Sequence, residues 1–173
     1  HYIGQQLFER VVNKTTGTLA KGTVVYVTGA QGNRIKVEPA VASGDYTSAT
    51  VIGVVAETIP VNAEGFVTQD GILQGLNTTG FAEGAVLWLS PTIPGAITTT
   101  KPFAPEHLVM VGFCVRSHQS AGEIAVKIQN GYELDELHNV RLTGVTNGQI
   151  LAYNTGSGVW YNANLTGGEY FCN

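Results

Sequence analysis

The sequence predicts an all-β fold: an internally duplicated small β-barrel or sandwich followed by a C-terminal β-hairpin module. Three observations carry that expectation. Gly is abundant, 22 of 173 residues, and charged side chains make up only 13%, roughly half the usual share. Thr and Val dominate much of the remainder, as in strands broken by tight turns. The same pattern of glycines and apolar runs occurs twice before residue 131, and near the end Asn147-Gly148 joins two short apolar runs. An Asn-Gly pair between alternating apolar residues is the strongest short-range hairpin signal, because both central turn residues need positive φ.

The duplication organises residues 1–131 into units of about 7–70 and 71–131. Asn13 to Val27 (NKTTGTLAKGTVVYV) aligns with Asn77 to Leu89 (NTTGFAEGAVLWL) after small gaps. Ile52-Gly53-Val54-Val55 answers to Val111-Gly112-Phe113-Cys114, and Glu64-Gly65-Phe66-Val67 to Ala121-Gly122-Glu123-Ile124. Gly22 and Gly53 are 31 positions apart, Gly84 and Gly112 28, so the spacing nearly repeats. In chain order the strands are expected at 7–12, 23–28, 34–38, 51–56 and 66–69, then 71–76, 85–90, 96–99, 109–116 and 123–129. Pro39–Ser48 carries Gly44 and Asp45 and reads as a loop. Two open units of four or five strands would close on each other and so remove exposed edges.

Composition excludes several function classes. A formal net charge of −4, with nine basic residues scattered singly, argues against a nucleic-acid groove. No apolar run approaches the roughly 18 residues of a membrane span. The chain begins at His1 with no basic or apolar leader and ends abruptly at Asn173; a piece of a longer or processed polypeptide is expected. Cys114, in an apolar run, reads as a buried small hydrophobe. Together with Cys172 it forms neither a disulfide framework nor a zinc site.

No catalytic constellation emerges, and no enzyme activity or cofactor is expected. Gly17 to Gly22 has the glycine spacing of a phosphate-binding loop but lacks the Lys-Ser/Thr that must follow. Three Asp and four His offer no nucleophile, base and orienting acid in a recognisable context. Asp70, Glu64 and Glu83 sit beside Gly in expected turns, where a carboxylate is ordinarily solvated. His107 and His118 are expected at the surface. Glu133, Asp135, Glu136 and His138 are ligand types a divalent ion would accept, but their spacing matches no closed site. They read as a connector with solvated acids and with Leu134 and Leu137 packed inward; alternatively, three copies of His138 would share an ion on a three-fold axis. Asn-x-Thr sequons occur at Asn13, Asn77 and Asn164, about as many as chance gives in so Thr-rich a chain.

Residues 132–173 are too short to bury enough surface alone, so the module must pack on the body or on copies of itself. Tyr26 and Trp88 occupy equivalent repeat positions and read as matched core or rim residues. Trp160 and Tyr161 either anchor the hairpin against a neighbour or stack on a sugar ring.

Glu136-Leu137-His138-Asn139-Val140, then Asn147 to Asn154 (NGQILAYN), then Gly158-Val159-Trp160-Tyr161-Asn162, resemble a short module common in tailed-phage fibre proteins. That module runs roughly L-x-D-V, P/T-x-N/D-G-Q-x-L-x-Y-N/D and G-x-W; Asn139 stands where it has Asp. Residues 4–131, with Lys21 to Ala30 (KGTVVYVTGA) and Gly131 to Leu137 (GYELDEL), look like the β-rich domain that precedes the module in phage virion proteins, and are similar to capsid decoration proteins. The resemblance implies a structural protein of a virion, an extracellular particle, assembled as a homotrimer with other capsid or tail proteins as partners. Val140, Leu142, Ile150, Leu151, Tyr153 and Trp160 are then the expected inter-chain contact, in a closed trimer or along an open filament. The alternatives are a capsid decoration protein at three-fold sites and an adhesin binding host-surface glycans through Trp160 and Tyr161.

Overall fold

A computed structural model describes residues 6–165, and these are all-β, as the sequence predicts. The strands are β1 (Gln6–Asn13), β2 (Val24–Gln31), β3 (Arg34–Pro39), β4 (Val51–Val55), β5 (Glu64–Leu76) and β6 (Val86–Leu89). There follow β7 (Ile97–Thr98), β8 (Val109–Arg116), β9 (Gly122–Asn130), β10 (Val140–Arg141), β11 (Ile150–Asn154) and β12 (Val159–Ala163). The helical pieces among the described residues are two 3-10 turns, Asp45–Thr47 and Leu134–Glu136, and no described helix is long and apolar enough to cross a membrane. The chain divides into two compact units, His1–Gly131 and Tyr132–Asn173.

In the first unit the nine strands lie in the order β1-β3-β2-β4-β5-β9-β8-β6-β7, and β1 also pairs with β5. That extra pairing closes β1, β3, β2, β4 and β5 into a ring, a small barrel. The order β3-β2-β4-β5 is mirrored by β7-β6-β8-β9, and the halves join where β5 meets β9. Val11, Leu19, Val25, Val37, Val55, Ile59 and Val67 fill the barrel. Val24, Tyr26 and Val54, from the opposite faces of β2 and β4, pack with Leu87, Leu89, Val111 and Ile124 of the second half. Both faces of β2 and β4 are therefore covered, which is why Val24-Val25-Tyr26 and Val54-Val55 read as unbroken apolar runs and not as alternation. Cys114 is buried in this second cluster, and burial pushes its thiol up, with the Glu83 charge adding to the shift.

The matched sequence blocks coincide with matched backbone bonding. The Gly22 N–H donates to Val55 O (2.8 Å) and Val55 N–H to Thr23 O (2.9 Å); Gly84 N–H donates to Cys114 O (2.7 Å) and Cys114 N–H to Ala85 O (2.9 Å). Gly22 and Gly84 have φ of 91° and 80°, a region that favours glycine. Asn13 Oδ1 accepts from Thr15 N–H (3.0 Å) and Asn77 Oδ1 from Thr79 N–H (3.1 Å). Two of the three sequons are thus Asx turns, and Asn13 is wholly buried.

Two expectations for this unit are corrected. Strands 66–69 and 71–76 are one strand, β5, which runs through the supposed unit boundary. Asp70 and Gly71 are paired on both sides, with Leu7 and Gln6 of β1 and with Lys127 and Val126 of β9, so an apparent turn signal lies in mid-sheet. Pro39–Ser48 is irregular beyond the end of β3, as expected of a loop, with the single 3-10 turn Asp45–Thr47 in it. His107, expected at the surface, is 2% exposed; His118 is exposed as expected.

On the outer face of the barrel Glu64 pairs with Arg10, and Arg34 Nε lies 3.0 Å from its carboxylate. The Arg34 guanidinium, with Arg10 beside it, holds the Glu64 carboxyl below its ordinary value. A carboxyl depressed in the folded state adds stability above its unfolded pKa, about 4.3, and that stability is lost as pH falls through the folded value. Glu64→Gln is therefore expected to melt below the wild type at pH 7, the gap closing as pH drops below about 4. A gap unchanged between neutral and strongly acid pH would refute this assignment.

The second unit holds a three-stranded sheet in the order β10-β12-β11, with β10 parallel and β11 antiparallel to β12. The hairpin is therefore β11–β12, turned by Thr155–Gly158, and Asn147-Gly148 does not join paired strands as expected. Gly148 has φ 84° while Asn147 stays in the negative region. The turn, closed by Gln149 N–H to Thr146 O, lacks the two positive φ values a two-residue hairpin needs. Asn154 Oδ1 instead caps the true turn, accepting from Gly156 (2.9 Å) and Ser157 (3.1 Å).

Candidate functional site

The second unit presents the most unusual surface in the molecule. None of its described residues is buried, yet Ile150, Leu151, Tyr153, Trp160 and Tyr161 are each 40% to 49% exposed. Strand alternation and register sort them. Leu151 and Tyr153 of β11, Trp160 of β12 and Val140 of β10 share one face, with Tyr153 opposite Trp160 and Val140 beside it. The Tyr153 and Trp160 rings pack at 5.2 Å between centroids. Ile150, Ala152 and Tyr161 lie on the other face.

Of the six residues expected at an inter-chain contact, the sheet brings Val140, Leu151, Tyr153 and Trp160 together. Ile150 is on the reverse face, and Leu142, half-buried, lies just past β10. Trp160 and Tyr161, expected to contact glycan together, are successive residues of β12 and point to opposite faces, so they form no shared stacking platform.

A polar clamp holds the segment between β10 and β11. Asn162 Nδ2 donates to Thr143 O (2.9 Å) and Gln149 Oε1 (2.8 Å), and its Oδ1 accepts from Thr143 N–H (2.8 Å). Gln149 Oε1 also accepts from Thr146 N–H (2.9 Å) and Gln149 Nε2 donates to Asn164 Oδ1 (3.1 Å). The Gln of the N-G-Q motif and the Asn after Trp-Tyr thus fasten the segment onto β12. The connector differs from expectation: Leu134 and Leu137 are 45% and 46% exposed and do not pack inward. Glu136 closes a capping box with Glu133, which engages two of the acids considered as metal ligands.

The first unit contains a polar cluster that sequence reasoning missed. His107 Nδ1 lies 2.7 Å from Ser48 Oγ, and His107 Nε2 lies 3.2 Å from Gly131 O and 3.6 Å from Asp45 Oδ1. Ser48 is wholly buried and its Oγ is also 2.6 Å from Gly44 O. No carbonyl substrate reaches that hydroxyl, and Asn130 Nδ2, donating to Ala49 O at 2.8 Å, braces the same loop. The cluster fastens the Pro39–Ser48 loop to the end of β9. A groove of about 390 Å³ on this unit has a floor of Leu76, Phe81, Ile97 and Ile124, with Lys21 as the one charged residue lining it.

No protein-family model matches the chain, and no curated protein matches it.

Proposed function

We propose that the chain is a structural component of a phage virion, a trimeric fibre or fibre-attachment protein, with residues 1–131 as a spacing or docking platform and residues 132–173 as the joint between copies. The observation that carries this reading is the sheet of the second unit: large apolar side chains on both faces and no buried residue among those described. Three short strands do not sustain such a surface in water alone, and covering the exposed part of Ile150 or Leu151, less than half of each, is worth about 1 kcal/mol. The resemblance of Asn147 to Asn154 and Gly158 to Asn162 to the phage fibre module supplies the virion context and the three-fold symmetry.

The test is removal of residues 134–173. Sedimentation is expected to show a folded first unit that has lost the oligomer of the full chain, with its far-ultraviolet β signature retained. An unchanged trimer after truncation would overturn the assignment of the joint. Labels placed on residues 1–131 in intact particles separate a tail position from the capsid surface, where a decoration protein would lie.

A further inference from the structure

We propose that the outward face of the second repeat, formed by β6, β8, β9 and the end of β5, docks against the same face of a second copy of this chain across a two-fold axis. The contact joins first units. It is separate from the joint read into residues 132–173 and does not rest on it, since closed assemblies can hold two-fold and three-fold axes together.

The duplication identifies the face. In the first repeat Val24 pairs with Val54 and Tyr26 with Val51. All four side chains are 7% exposed or less, because residues of the second repeat pack over them. In the second repeat the same register pairs Val86 with Phe113 and Trp88 with Met110. None of these four is buried, Phe113 is 37% exposed, and neither core cluster includes them.

Exposure has not made those positions polar. Phe113 stands where the covered face has Val54, Trp88 where it has Tyr26 and Met110 where it has Val51, so the open face is the bulkier of the two. Trp, Phe and Met are residue types enriched at protein interfaces. Register extends the face into a row. Ile72 lies opposite Ala125, Ala125 opposite Phe113 and Phe113 opposite Val86, and directly opposed residues share one side of a sheet. Four strands thus contribute to one apolar stripe.

Geometry and charge select the occupant. The equivalent face of the first repeat is covered by the inner, apolar side of an open sheet. The first unit of a second copy has no such side to offer: its barrel is closed, and the inner side of its second repeat is filled by its own first repeat. It offers the same outward face. Along β9 the outward residues are Glu123, Ala125 and Lys127, a negative and a positive charge with a small apolar side chain midway. A two-fold axis along the row from Ile72 to Val86 reverses strand direction, so Glu123 of each copy meets Lys127 of the other. Packed sheets hold their strands within about 30° of each other, which keeps those charges in reach. Lys127 Nζ lies 3.5 Å from Asp70 and has donors left for a second carboxylate.

Sedimentation of the purified full chain and of variants tests the contact. The wild type is expected to hold an even number of chains. Phe113→Ser is expected to halve its mass with the far-ultraviolet β signature retained, whether or not the joint stands. Glu123→Lys and Lys127→Glu, both surface changes, guard against a misfolded Phe113 variant. Each sets like charges together at two symmetric places and is expected to weaken association about tenfold or more. Mixing the two charge variants, or combining both substitutions in one chain, restores opposite charges at both places and is expected to restore association. An odd number of chains in the wild type, or an unchanged mass for Phe113→Ser, overturns the contact. Charge variants that associate normally, or that fail to recover on mixing, overturn the two-fold pairing. If Phe113→Ser sediments as wild type but is lost from intact particles, the face belongs to a different virion protein and the contact between copies falls.

Discussion

Gly112→Ala is expected to destabilise the first unit by about 3 kcal/mol or more, lowering its melting temperature by on the order of 10 °C. Gly112 has φ 153°, and a Cβ there would run into the carbonyl of Ala125 on the neighbouring strand β9. Backbone cannot rotate away as a side chain does, so β8 and β9 would have to part. Gly53, its counterpart in the first repeat, meets the same obstacle in the carbonyl of Thr68 on β5. Each glycine lies beside an irregularity of register, between Val25 and Tyr26 in one half and between Leu87 and Trp88 in the other. Gly53→Ala is expected to cost a similar amount. Gly17→Ala is the control: nothing lies within 4 Å of the new methyl, and a change within about 0.5 kcal/mol is expected. Thermal unfolding followed by circular dichroism reads all three, and a Gly112→Ala protein as stable as the Gly17→Ala control would remove close backbone approach as the reason for the repeat.

Those glycines explain why much of the fold was legible in the sequence. Short-range rules govern them: a positive φ at Gly22 and Gly84, an Asx turn at Asn13 and Asn77, a bare backbone at Gly53 and Gly112. Each leaves the same mark twice. What the sequence hides is set by pairing across long separations. The parallel match of Val11 with Ile35 that helps close the barrel leaves no local signal, and Asp70-Gly71 resembles a turn because its two partner strands, β1 and β9, are remote in sequence. The joint was half legible for the same reason. The expected contact included Val140, Leu151, Tyr153 and Trp160, which share one face, but also Ile150, which lies on the other, and the Asn147-Gly148 signal pointed to the wrong partner strand. There, Asn162 and Gln149 supply the bonds that a hairpin ladder would have supplied.

His107→Ala is expected to cost the first unit about 3 kcal/mol, from a lost buried ring and from polar groups left without partners. The ring bridges two groups: Nδ1 lies 2.7 Å from Ser48 Oγ and Nε2 lies 3.2 Å from Gly131 O, while the Ser48 hydroxyl also lies 2.6 Å from Gly44 O. Burial here is thus conditional on Ser48, and the two residues should behave as one device. Ser48→Ala alone is expected to cost about 1–2 kcal/mol. The double variant should cost less than the sum of the singles by about 1 kcal/mol, because once the ring is gone the hydroxyl has lost one of its two partners already, keeping only Gly44 O. His107→Phe, which removes both ring nitrogens, should remain well below the wild type because the Gly131 carbonyl loses its ring partner and the Ser48 hydroxyl keeps only Gly44 O. Chemical denaturation of the four proteins closes the cycle. Additive losses, or a phenylalanine variant as stable as the wild type, would mean that His107 fills space and that the loop bearing Asp45 and Ser48 is held by its backbone bonds and Asn130 alone.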